Sequence, residues 1–230
     1  MPRSIIAVGA ALVLAAAAQA HFVFVVPAAK GTEARVVFSE DLEPDTVVDI
    51  SKVSGTKLFA RSATGEGVPL KWEKDGNAYR VALPEGARLV YGATDYGVLR
   101  RGEGKPFRLV YHPKAVVGPW SGGEAVLGAA APAEIVPAGK PGAVRFRLVA
   151  GGKPVAGAEV NVLKPGDSRR TTVTTDEQGL TPAFAELGQF GVWARHTEAQ
   201  AGERGGEKYE EVRHYPTLVV EVGRPGAARE

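Results

Sequence analysis

Short runs of alternating or β-branched residues recur about every ten positions along the chain, the spacing of strands separated by tight turns. In the first half they predict strands at Phe22–Val26, Ala34–Phe38, Val47–Ile50, Lys57–Arg61, Val68–Glu73, Ala78–Leu83, Arg88–Tyr91 and Phe107–Tyr111. Lys74-Asp75-Gly76-Asn77 reads as a hairpin turn, with Gly76 free to adopt positive φ. From Pro113 to Pro141 the texture changes to Gly, Ala and Pro, which reads as a connection between modules that contributes at most one edge strand. A second series follows, with strands at Val144–Val149, Ala158–Leu163, Thr171–Thr175, Phe190–Arg195 and Thr217–Val222 and a turn at Asp176-Glu177-Gln178-Gly179. Sustained helical periodicity is absent after residue 20. The expected fold is all-β: an N-terminal β module over 21–115, a Gly/Ala/Pro-rich connection over 116–140, and a C-terminal sandwich over 141–223. The C-terminal module is expected to be immunoglobulin-like or transthyretin-like, and 224–230 is a tail.

The opening residues form a separate unit. Arg3 provides a positive start, Ile5 to Ala18 an apolar stretch, and Ala18-Gln19-Ala20 an A-x-A cleavage site, so residues 1–20 are expected to be a signal peptide. The apolar stretch is shorter than the roughly 20 residues of a membrane span, and no membrane insertion is expected after cleavage. The mature protein is expected to be periplasmic or secreted, beginning at His21.

Composition sharpens this picture. The chain of 230 residues has Gly 29 and Pro 16, spread along its length as turn residues are. It has no Cys, and its single Met is Met1. The expected mature chain therefore lacks sulfur, which excludes disulfides, thiol catalysis, Fe–S clusters and thioether sites for Cu(I). A net charge of +2 gives no argument for a nucleic-acid partner. The short basic stretch from Arg100 to Lys114 is interrupted by Glu103 and reads as a turn and strand with solvated arginines.

Candidate chemistry rests on four histidines, His21, His112, His196 and His214. His196 ends one predicted strand and His214 begins the next. If those strands pair as an antiparallel hairpin, the two histidines oppose each other with Cβ atoms roughly 4.5–5.5 Å apart. Two imidazoles so placed can share a metal at about 2.0–2.1 Å per bond. An N-terminal His offers its α-amine and Nδ1 as a chelate that an internal His cannot make. The unperturbed amine pKa of about 7.7–8.0 lets a metal displace its proton near neutrality. Nitrogen ligands suit Ni, Co, Cu(II) and Zn. The alternatives are a solvated or backbone-bonded His112, a coincidental surface pair at His196 and His214, and a chance His21 after the cleavage site.

The remaining charged features have plainer readings. The 197–213 segment, TEAQAGERGGEKYEEVR, is a long acidic loop, read mainly as solvated but placed beside the histidine pair. Glu40, Asp41, Glu43 and Asp45 form a second acidic cluster with the same reading. The chain contains no G-x-S-x-G, P-loop or H-E-x-x-H motif, and nothing in it demands an enzyme.

Taken together, the Ala20-His21 junction with HFVFVVP, then VVFSEDLEP, YGATDYGV, RGEGKPFRLVYHPKA, GKPVAGAEVNVLKPG, TTDEQG, GVWARH and RHYPTLVVEV, resemble a family of exported two-module β proteins. That family is associated with the periplasmic side of nickel and cobalt uptake systems. GKPVAGAEVNV and TTDEQG are shared with carboxypeptidase-regulatory-like and other sandwich modules and speak to fold. The N-terminal His with W-x-x-H, a loop and H-Y-x-T-L is narrower. The resemblance implies a periplasmic protein that binds a divalent transition metal, nickel or cobalt, and delivers it to a membrane importer without catalysis. It points to His21, His196 and His214 as ligands, with His112 a further candidate. The rival readings are a structural or adhesion-type sandwich pair with no metal, and a Cu(II) protein using the N-terminal histidine.

Overall fold

A computed structural model describes residues 21–62, 65–123, 125–167 and 169–223. The expected signal peptide over 1–20 and tail over 224–230 lie outside the described residues. Among those described, the chain forms eighteen strands and two short 3-10 helices. The first eight strands are β1 (Phe22–Pro27), β2 (Glu33–Ser39), β3 (Lys57–Arg61), β4 (Val68–Pro69), β5 (Trp72–Asp75), β6 (Ala78–Ala82), β7 (Leu89–Leu99) and β8 (Phe107–Trp120). The next five are β9 (Ala133–Lys140), β10 (Ala143–Ala150), β11 (Lys153–Pro154), β12 (Glu159–Leu163) and β13 (Arg170–Thr174). The last are β14 (Gly188–Ala194), β15 (His196–Glu198), β16 (Gly202–Arg204), β17 (Glu207–Tyr209) and β18 (Glu211–Val222). No helix among the described residues is long and apolar enough to cross a membrane.

The strands build three layers. The middle one is a nine-stranded sheet in the order β13-β12-β14-β18-β8-β7-β3-β4, with β15 added against β18. One face is covered by the sheet β1-β2-β6-β5, the other by β11-β10-β9. The protein is thus all-β with sandwich packing on both sides of a shared sheet. The seam between the two modules is the pairing of β8 with β18, which is parallel, from Glu211↔Phe107 to Val222↔Trp120. A tight hairpin cannot join parallel strands; the connection is most of the second module.

Alternation along these two strands divides the core. On β8, Phe107, Leu109, Tyr111, Ala115 and Val117 pack into the cluster with β1, β2 and β6. Trp120 and, on β18, Leu218, Val220 and Val222 pack into the second cluster with Ile135, Phe146 and Leu148. Being covered on both faces, β8 is buried almost continuously, its polar His112 and Lys114 included. Its ladder with β7 skips from Tyr91↔Lys114 to Thr94↔Tyr111, opposite Pro113, which has no N–H to donate.

The structure redraws some of the expected boundaries. Arg88–Tyr91 and Phe107–Tyr111 are pieces of longer strands, and the expected boundary after residue 115 falls inside β8. The 116–140 connection contains the end of β8 and all of β9, which is the edge strand expected there; Ile135 on β9 is buried in the second cluster beside Leu148, its register partner on β10. Val47–Ile50 is not a strand. Asp45 and Asp49 accept backbone N–H groups there, and a 3-10 turn follows over Ile50–Val53.

Candidate functional site

His21 immediately precedes β1 and is anchored by its own backbone: the Tyr111 hydroxyl donates to its carbonyl oxygen at 3.1 Å. Its imidazole Nε2 lies 2.9 Å from Asp45 Oδ2. The side chains of His21 and Asp45 are 10% and 21% exposed, so the contact is largely shielded from water. Asp45 is held in turn by its neighbours. Oδ1 accepts the N–H groups of Val48 and Val47, each at 2.6 Å. Those bonds, helped by His21 and working against partial burial, hold its pKa down to about 2.

The segment carrying Asp45 is fixed by the β5–β6 hairpin. Gly76 takes φ of 60° at its first central position, which turns Asn77 towards the segment. Asn77 Nδ2 donates to the Asp45 carbonyl at 2.6 Å and the Val48 carbonyl at 2.9 Å, while its Oδ1 accepts the Ile50 N–H at 2.9 Å. A sheet turn thereby sets the position of a carboxylate 32 residues earlier.

The Asp45–His21 bond has a chemical consequence. An ionised carboxylate can only accept, so Nε2 carries a proton, and in the neutral ring this leaves the lone pair on Nδ1. A carboxylate bonded to the distal nitrogen is the usual companion of a metal-ligating imidazole, fixing its tautomer and raising its basicity. His21 opens on a cavity of about 370 Å³ lined by Phe38, Lys52, Tyr96, Arg101, Tyr111 and Tyr215 among others.

The other three histidines gather elsewhere. His196 and His214 are register partners on β15 and β18, with ring centroids 6.3 Å apart. His112, on β8, brings its Nε2 to 2.8 Å from His214 Nδ1. His214 Nε2 lies 3.3 Å from Glu198 Oε2. With Glu198 accepting from Nε2–H, Nδ1 of His214 is the acceptor and His112 donates to it, giving a His112→His214→Glu198 chain. Burial pulls the His112 pKa down to about 3, reinforced by His214; burial also lowers His214, against the pull of Glu198. Both rings are held neutral. Both nitrogens of His214 are occupied, so the cluster is a closed hydrogen-bonded chain at the edge of a groove of about 620 Å³ lined by Lys153, Pro154 and Ala156.

The expected single site of His21, His196 and His214 is therefore not what the fold assembles. Tyr111 and Tyr215, which line the His21 cavity, alternate along β8 and β18 with His112 and His214. His21 consequently lies on one face of the central sheet and the His112–His214 pair on the other. The sequence places residues along a strand but does not say which layer covers which face. Among the described residues, no group of three or more His, Asp or Glu side chains is set to hold a metal ion.

The acidic 197–213 loop is structured. β16 and β17 form a hairpin, Arg204 Nε bonds Asp95 Oδ2 at 2.7 Å, and Tyr209 packs with Val110 and Val212. Two functional-looking groups escaped sequence reasoning. Asp45 was indistinguishable from the acidic residues around it, although Asp-x-Val-Val, with N–H groups two and three residues on, is an Asx-turn pattern. Lys114 and Glu134, 1% and 3% exposed, form a buried ion pair at 2.5 Å. Glu134 also accepts the N–H groups of Leu127 and Gly128, and Lys114 donates to the Ala125 carbonyl. This pair ties β8 to β9, and a lone lysine in an apolar strand was its only trace in the sequence. Neither a known protein family nor a curated protein matches the chain.

Proposed function

We propose that the protein is exported, loses residues 1–20, and binds one divalent transition metal, nickel or cobalt, through the α-amine and Nδ1 of His21. It acts in the periplasm as a carrier for a membrane uptake system and performs no catalysis. The observation that carries this reading is the Asp45–His21 bond. It leaves Nδ1, the nitrogen able to form a chelate ring with the α-amine, as the one with the lone pair. The sequence resemblance to exported proteins of nickel and cobalt uptake supports the choice of metal. Cu(II) binds such nitrogen pairs more tightly in vitro, so availability selects the ion.

The test is thermal unfolding of a chain beginning at His21, with Ni, Co, Cu(II) and Zn in turn. A metal at about a hundredfold excess over its Kd adds about 2.7 kcal/mol. For a domain of this size that is a rise of roughly 5–11 °C. One residue added before His21 abolishes the rise if the chelate forms. A chain without any rise favours the second reading, a structural sandwich pair without metal, for which the closed His112–His214–Glu198 chain is the supporting observation.

A further inference from the structure

The His21 cavity is poorly matched to a bare dication. The amine and Nδ1 fill about half of a four-coordinate plane, and among the described residues lining the cavity there is no carboxylate to complete it. Asp45 spends one oxygen on two backbone N–H groups and the other on His21. Tyr111 is committed to the His21 carbonyl. The charged side chains on the cavity wall are Lys52 and Arg101, both cationic. Neither forms an ion pair among the described residues. Two unpaired cations beside a nitrogen chelate repel a hydrated dication and attract an anion. Arg101 also presents the planar fork that matches a carboxylate.

We propose that the cavity takes the metal as a complex with a small organic polycarboxylate, with His21 completing the coordination and Lys52 and Arg101 receiving the carboxylates. The cavity volume of about 370 Å³ holds a ligand of that size. This inference rests on the His21 chelate and adds the chemical form of the ligand. Binding exchanges ligands on the metal: the amine and Nδ1 replace bound water, the amine releases its proton, and no electron moves.

Equilibrium dialysis tests it, using the chain beginning at His21 with nickel alone, with nickel and equimolar labelled citrate, and with labelled citrate alone. The expected result is that citrate lowers the apparent Kd for nickel by about tenfold or more, the scale of one charge-assisted contact. Citrate is then retained in equal amount with nickel and is not retained without it. The double variant Lys52→Ala/Arg101→Ala, both exposed positions, binds nickel alone at least as tightly, since two repelling charges are gone, and loses the gain from citrate. Citrate that strips nickel from the protein, or a gain that survives in the double variant, overturns the inference while leaving the chelate intact. Nickel retention unchanged by a residue added before His21 overturns the chelate itself.

Discussion

Asp45 bonds the distal nitrogen of His21 at 2.9 Å while its other oxygen is held by the N–H groups of Val47 and Val48. A carboxylate so anchored cannot swing away without breaking backbone bonds, and the imidazole it orients is correspondingly fixed. Asp45→Asn keeps the shape but removes the charge. Its expected effect is a loss of about 10–100-fold in metal affinity, measured by competition with a metal-sensitive dye. An unchanged affinity would mean that Asp45 only shapes its loop.

Asn77 makes three hydrogen bonds to the segment that carries Asp45. Asn77→Ala leaves the Ile50 N–H and two carbonyls without these partners, at a cost of about 1–3 kcal/mol in urea unfolding. Metal affinity falls together with stability, although Asn77 is not itself placed to touch the metal. Asn77→Asp still accepts from Ile50 but sets a carboxylate oxygen against the Asp45 and Val48 carbonyls, so it is expected to cost at least as much as Asn77→Ala. An Asn77→Asp protein as stable as the parent would remove the two donated bonds from the account.

Much of this arrangement was legible in the sequence, and the missing part has a physical cause. Alternation gave the strands, and the opposition of His196 and His214 follows from their positions at the two ends of one loop. What alternation cannot give is the covering layer. β8 and β18 are buried on both faces, so the odd and even residues of YHPK and RHYPT look alike in one dimension. The parallel pairing of those strands brings His112 to His214 across 102 residues, and no local signal announces it. Asp45 was hidden differently, in a run of acidic residues where only the backbone turn singles one out.

The closed histidine chain makes stability pH-dependent. His112 has a pKa of about 3 in the folded protein against about 6.5 unfolded, so the unfolded chain binds the extra proton between those values. Its contribution is intact above about pH 6.5 and is lost as the pH falls towards 3, at about 1.4 kcal/mol per pH unit. His214, lowered in the same direction, steepens the loss. Urea unfolding from about pH 7 to about pH 4 measures the slope. His112→Phe, which cannot titrate, is expected to flatten it by about one proton; an equal slope in both proteins would contradict neutral burial.

Lys114 and Glu134 are both buried and bonded to each other at 2.5 Å. Removing either charge leaves the other without its counterion. Lys114→Met and Glu134→Gln are each expected to cost about 3–5 kcal/mol, and the double variant much less than their sum. A double-mutant cycle by chemical denaturation gives the coupling energy. Additive losses would show that the two side chains act independently in tying β8 to β9.

The central claim is that the protein chelates metal through a free amine at His21, and nickel stoichiometry at the N-terminus tests it most directly. Equilibrium dialysis is run on a chain beginning at His21 and on one carrying a single alanine before it. The account predicts about one nickel per chain for the first, and loss of that ion at the same free nickel concentration for the second. Equal binding by both chains would contradict it, since an internal histidine has no free amine to give.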